Sequence, residues 1–98
     1  ENKRNLAKDY EIFFKEKGIK FRTESQGTIA NYWLMCIELE NKADYNNFLK
    51  DTNESNVMTR PVWELMSNLP MYTDCQRDSQ KNAKILKDRI INIPSGVI

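Results

Sequence analysis

The apolar positions of this chain recur first with a helical period and then with a strand period. Residues 2–17 place Leu6, Ala7, Tyr10, Phe13 and Phe14 three and four residues apart, which predicts an amphipathic helix. Lys15 and Lys17 fall in its last turn, beside the negative end of the helix dipole, and Gly18 supplies a left-handed cap. The period then changes to two. Ile19, Phe21 and Thr23 alternate with Lys20, Arg22 and Glu24, the pattern of a half-exposed strand at a sheet edge. Ser25-Gln26-Gly27 reads as a turn. Asn31 to Leu39, NYWLMCIEL, follows with Trp33, Met35, Ile37 and Leu39 on one face and Tyr32, Leu34, Cys36 and Glu38 on the other. Both faces are mostly apolar, so a central strand covered on both sides is expected.

After Glu40 the helical period returns. Asn41 with Asp44 three residues on resembles an N-terminal cap, and Tyr45, Phe48, Leu49 and Thr52 mark one face of a helix. It should end within Asn53–Asn56, where an asparagine tolerates the left-handed conformation. Val57 to Arg60 is expected to be a short strand that Pro61, lacking an amide donor, terminates or confines to an edge. Trp63, Leu65 and Met66 suggest a single helical turn closed by Leu69-Pro70, and Met71–Gln76 is irregular. Ser79 is the expected cap of a last helix with an inner stripe of Ala83, Leu86 and Ile90. Ile91 and Ile93 alternate into a final strand, stopped by Pro94-Ser95-Gly96. The order helix, strand, strand, helix, strand, helix, strand gives an α+β fold: helices packed on a small, mainly antiparallel sheet.

Length and charge narrow the function. Ninety-eight residues make one domain with a modest core. Lys and Arg number 15 against 14 Asp and Glu, so charge alone does not suggest nucleic acid as a partner. No apolar run approaches the roughly 20 residues of a membrane span, and no apolar segment of a signal peptide follows Glu-Asn-Lys-Arg. The two cysteines differ in setting: Cys36 reads as a small buried hydrophobe, Cys75 as an exposed thiol, and a reduced, cytoplasmic chain is expected. With no histidine, a metal site would need carboxylates and two distant thiols, so none is expected. The first residue is not Met and a helical pattern begins at once, which leads us to expect a piece of a longer protein.

Few residue groupings could carry chemistry. The chain lacks a His to activate a nucleophile, and its three glycines are isolated, so no phosphate loop is formed. No lysine lies within an apolar stretch that would lower its pKa; Lys20, between Ile19 and Phe21, comes nearest and should face water. No catalytic residue is therefore assigned. Two clusters remain: Asn31-Tyr32-Trp33 at the head of the central strand, and Thr59-Arg60-Pro61-Val62-Trp63, which joins a guanidinium fork to an indole. The plain packing reading puts Trp33 and Trp63 in the core and pairs Arg60 with an acidic neighbour. Single-stranded nucleic acid on a small sheet is a further reading, disfavoured by the charge balance.

The segments Asn31–Leu34 and Met58–Met66, with Leu69-Pro70-Met71, Asp74–Arg77, Asn82-Ala83 and Arg89–Ser95 in that order, resemble the C-terminal part of pyridoxal-phosphate-dependent sugar-nucleotide aminotransferases of the DegT type. The nearest resemblance is to the branch that aminates UDP-linked 4-keto sugars on the routes to bacillosamine and legionaminic acid, in cell-surface polysaccharide biosynthesis. It covers about residues 31–95 and matches the first 30 more loosely. The resemblance implies the small C-terminal domain of a fold-type I aminotransferase that forms a homodimer when intact. An amino group from glutamate would pass through the cofactor to a keto sugar nucleotide. The resemblance also implies that the cofactor-holding lysine belongs to a large domain, with no cofactor on this chain. Asn31, Trp33 and Arg60 are the implied substrate-binding residues, and Trp63 packs beneath the Arg60 loop. The family often continues with a helix beyond the Pro-Ser segment. The alternative is a free-standing interaction domain that binds a peptide or protein through an aromatic patch.

Overall fold

The computed structural model describes residues 2–96. In chain order the elements are α1 (Asn2–Glu16), β1 (Lys20–Phe21), β2 (Met35–Glu38), α2 (Lys42–Glu54), β3 (Arg60–Pro61), two single-turn 3₁₀ helices (Met66–Asn68 and Pro70–Tyr72), α3 (Lys81–Lys87) and β4 (Ile90–Ile93). The strands form one sheet in the order β1-β2-β4-β3, and all three pairings are antiparallel. The α+β class and the order of elements are those expected from the pattern. Among the described residues no helix is long and apolar enough to cross a membrane.

Local chemistry accounts for the boundaries. Gly18 adopts φ 72° and ends α1, with the Ile19 amide reaching the Phe14 carbonyl at 2.9 Å and the Gly18 amide the Lys15 carbonyl at 3.2 Å. This doubly bonded end is the Schellman motif. Asn41 caps α2 through its Oδ1, which accepts the Asp44 amide at 2.8 Å. The same helix ends with Asn56 at φ 66° and the Val57 amide on the Thr52 carbonyl at 2.8 Å.

The core lies on one face of the sheet. Register sets Met35 opposite Ile93 and Ile37 opposite Ile91, while Phe21 lies opposite Ile37 on the other side. Directly opposed residues share a face, so these side chains form one apolar layer. Ala7 and Phe14 of α1 and Tyr45 of α2 are buried with it, and Leu6, Tyr10, Phe48 and Leu49 pack around it. Thr59, also buried, is satisfied by the Thr52 hydroxyl at 2.6 Å and the Asn53 amide nitrogen at 3.0 Å.

The expectation of a central strand covered on both faces is corrected. The strand is shorter, Met35–Glu38, and alternates between buried and half-buried positions. Cys36 is half-buried on the second face, not a core residue. The apolar run from Asn31 mimics a two-sided strand because its first four residues belong to a bend, in which Tyr32 takes φ 52°. The last helix is also shorter than expected. Gln80 rather than Ser79 precedes α3, without a side-chain cap, Ala83 is exposed, and Ile90 belongs to β4. β3 is displaced from the expected Val57–Arg60 to Arg60–Pro61. Pro61 is tolerated because Val62 donates inward, to Ile90 at 3.4 Å, so the missing Pro61 donor falls on the outer edge.

Residues 63–80 form an arm that contributes no residue to the buried core. Their 3₁₀ turns are tied locally: Arg77 donates to the Ser67 carbonyl at 2.9 Å and to the Thr73 carbonyl, and Ser67 Oγ lies 2.7 Å from Gln80 Oε1. The radius of gyration is 15.0 Å, above the about 13 Å of a fully compact chain of this length.

Ile37 is fully buried at the crossing of β1, β2 and β4. Ile37→Ala should cost about 2–5 kcal/mol and Ile37→Val about 0.5–1.5 kcal/mol in urea unfolding. Ile29→Ala, at a side chain 90% exposed, should change stability by less than about 0.5 kcal/mol. Equal losses at the two positions would contradict the one-sided core.

Candidate functional site

The second face of the sheet is mixed, with charged and polar side chains beside the half-buried Cys36, Ile90 and Val62. The Arg22 amide donates to the Cys36 carbonyl at 3.0 Å, which extends the β1–β2 register by one pair. One row across the sheet is therefore Arg22, Cys36, Asn92 and Arg60, and the next is Lys20, Glu38, Ile90 and Val62. Arg22 Nη1 bonds Glu38 Oε1 at 3.1 Å along this face. Burial pushes the Cys36 thiol up, with Arg22 opposing and Glu38 reinforcing the shift, so the thiol is protonated at neutral pH and a poor nucleophile.

At the head of β2 this face opens into a shallow hollow of about 340 Å³, lined by Arg22, Asn31, Tyr32, Trp33, Leu34 and Cys36, among others. Asn31 Oδ1 accepts the Trp33 amide at 3.0 Å, a local turn that places the indole at the rim, 65% exposed. Two further groups hold the bend. Arg4 bonds Glu24 through both terminal nitrogens, at 2.7 and 3.2 Å, and donates to the Ala30 carbonyl at 3.0 Å. Glu24 Oε2 accepts the Ala30 amide at 2.6 Å. Hydrogen bonds from Arg4 and from the Ala30 amide hold the Glu24 carboxyl below the usual carboxylate range.

The structure brings Asn31 and Trp33 together and leaves Arg60 apart. Arg60 lies on the far edge strand, with β4 between it and β2. Its Nη1 folds back to Asn53 Oδ1 and the Thr59 carbonyl, both at 2.8 Å. Its Nη2 and Nε have no protein partner among the described residues. The packing reading of the tryptophans is overturned, since Trp63 is 72% exposed. Arg60 also pairs with an amide and a carbonyl instead of an acidic neighbour. The residues that sequence reasoning missed are Arg22 and Asn92, which share the open face. Alternation had already turned Arg22 outward, but only the pairing of β2 with β4 shows that Asn92 joins it.

A larger hollow of about 440 Å³ lies at the other end of β2, between Lys20, Glu38 and Arg89. It holds none of the three expected site residues. On the arm, Met66, Tyr72 and Cys75 line a third, of about 210 Å³. No group of His, Cys, Asp and Glu suited to a metal occurs among the described residues. Three of the lysines are already engaged. The Lys3 ammonium lies on the Ser95 carbonyl at 2.6 Å and the Trp33 carbonyl at 3.3 Å, while Lys42 pairs with Asp88 and Lys87 with Glu64. No protein-family model matches the chain, and no curated protein matches it significantly.

Glu64 ties the Trp63 segment to the end of α3. Its carboxylate takes Lys87 Nζ at 2.9 Å, Asn68 Nδ2 at 3.0 Å and the Leu65 amide at 2.9 Å, which bring its pKa from 4.5 down to about 2. A folded value below the unfolded one means that the stabilisation is present above about pH 4.5 and is lost as pH falls towards 2. Glu64→Gln should therefore lower the urea midpoint at neutral pH. The gap from the parent should close between these pH values and narrow in high salt, because the pair is solvent-exposed. A gap that widens on acidification would contradict the assignment.

Both cysteines are free, with Cys75 exposed and Cys36 half-buried. A thiol reagent at neutral pH should label Cys75 in a fast phase and Cys36 in a slow one, and Cys75→Ser should abolish the fast phase alone. Equal rates would place Cys36 outside the setting described.

Proposed function

We propose that this chain is the small C-terminal domain of a DegT-type aminotransferase that moves an amino group from glutamate to a keto sugar nucleotide, using pyridoxal phosphate held by a separate large domain. The observation that carries the reading is the rim hollow at Asn31 and Trp33, which opens on an uncovered sheet face. It joins one exposed indole, a fixed carboxamide and the Arg22 guanidinium, groups suited to a polar ligand with a planar part. The ordered motif resemblance and the α+β fold support it. So does the arm, whose Trp63, Met66 and Met71 are 65–72% exposed and suit cover by another domain or subunit.

In this reading the domain is one wall of a cleft completed by the large domain in a cytoplasmic homodimer. Asn31 and Trp33 contact the sugar nucleotide, and Arg60, outside the rim hollow but on the same sheet face, contributes its Nη2 and Nε to substrate phosphates. Because the resemblance puts the cofactor lysine in the large domain, no chemical step is assigned to this chain. Its work is to bind and orient substrate and to exclude water.

A second reading, a free-standing interaction domain for a peptide or protein, is favoured by the same exposed arm. The two separate on the intact polypeptide. The aminotransferase reading predicts a cofactor absorbance band that glutamate bleaches; a polypeptide with neither property contradicts it. In that enzyme Arg60→Ala should raise KM for the sugar nucleotide roughly 10–100-fold, the loss of one charge-assisted hydrogen bond of about 1.5–3 kcal/mol, and leave the glutamate half-reaction intact. An unchanged KM would remove Arg60 from the site.

A further inference from the structure

The bend that presents Asn31 and Trp33 has no strand or helix of its own, yet it is held at both ends by the first turn of α1. Arg4 donates to the Ala30 carbonyl and Lys3 to the Trp33 carbonyl, so two consecutive cations bracket the Ala30–Trp33 segment. Glu24, from the turn after β1, completes the grip by accepting the Ala30 amide on the same carboxylate that binds Arg4. Between these anchors Tyr32 sits at φ 52°, a left-handed conformation that strains a residue with a Cβ. Its ring lies under the Arg4 guanidinium, 5.6 Å from ring centroid to Cζ, and its hydroxyl accepts the Glu24 amide at 3.4 Å.

A left-handed tyrosine persists only where its surroundings over-determine it. Without the clasp the segment would relax towards extended backbone, and the Trp33 side chain would leave the rim. None of Lys3, Arg4 or Glu24 belongs to the buried apolar layer. The cost of breaking the clasp therefore falls on the bend and not on the fold.

We propose that Arg4 and Glu24 are positioning residues that hold the Asn31–Trp33 rim in its ligand-ready shape by clamping Ala30 and the left-handed Tyr32 against α1. This rests on the aminotransferase reading only for the identity of what the rim receives. The clasp couples α1 to the rim across 26 residues of sequence between Arg4 and Ala30. It thereby gives the first 30 residues, which the motif resemblance covers loosely, a role in binding.

The test is amide hydrogen exchange by NMR on Glu24→Ala and Glu24→Gln variants of the chain. Glu24→Ala should speed exchange at Ala30 and Trp33 by roughly tenfold or more, with Ile37 and Ile91 unchanged. Glu24→Gln keeps an acceptor for the Ala30 amide but loses the ion pair, so it should fall between. In a Trp63→Phe background, where Trp33 is the sole tryptophan, Glu24→Ala should also increase the fast component of the fluorescence anisotropy decay. Unchanged exchange at Ala30 and Trp33, uniform acceleration through the core, or loss of the far-UV circular dichroism spectrum would each overturn the proposal. In the intact enzyme, Glu24→Ala should raise KM for a UDP-linked 4-keto sugar at constant glutamate half-reaction rate. Accelerated exchange with an unchanged KM would count against the sugar-nucleotide reading and leave the clasp standing.

Discussion

The pairing of β2 with β4 is the constraint on which the rest depends. These adjacent inner strands are far apart in sequence, and their register alone sets Met35 over Ile93 and Ile37 over Ile91. A slip of β4 by one residue would send Ile91 and Ile93 to the other face and bring Asn92 into the core. The helices then have one place to go. Ala7, Phe14 and Tyr45 close over the apolar layer, and the two edge strands need only two residues each because the central pair already fixes the sheet. The polar face is the necessary counterpart of that choice.

One-sidedness then shapes whatever the molecule does. A sheet with helices on both faces would leave its loops as the only open surface. Here Arg22, Cys36, Asn92 and Arg60 make a continuous row across four strands. At the head of β2 the bend adds Asn31 and Trp33, held by Arg4 and Glu24. At the opposite edge the chain leaves β3 into an arm whose large apolar side chains face outward. An uncovered face with a fixed rim and an apolar arm suits a wall of a shared cleft better than a self-contained pocket.

Most of the fold was legible because local signals agreed with one another. Gly18 and Asn56 both lie at left-handed helix ends, and Asn41 caps α2 as its spacing to Asp44 implied. What the sequence hid were features decided at a distance. The run Asn31–Leu39 looks equally apolar on both faces, and only the placement of α1 and α2 determines that Met35, Ile37 and Leu39 are buried. Ser79 carries a cap signal that α3 does not use, since its first residue follows a left-handed Gln80, and Ala83 lies in α3 but is exposed. The candidate site was half legible. Asn31 and Trp33 do meet, through an Asx-type turn that their sequence proximity favours. Arg60 was grouped with them by motif, but strand order puts it on the other edge, bound to Asn53. The grip of Arg4 on the Glu24 carboxylate and the Ala30 carbonyl joins groups 20 and 26 residues away, and no local pattern signals it.

The reading we propose is that the open sheet face and the arm are covered by the rest of an enzyme and its substrate. Hydroxyl-radical footprinting of the 98-residue chain and of the intact polypeptide, with and without a UDP-linked sugar, measures that cover directly at the reactive side chains. The account predicts that Trp63, Met66 and Met71 are oxidised in the isolated chain and protected in the intact polypeptide, and that Trp33 gains protection when the sugar nucleotide is added. Equal oxidation of all four side chains in every state would contradict it.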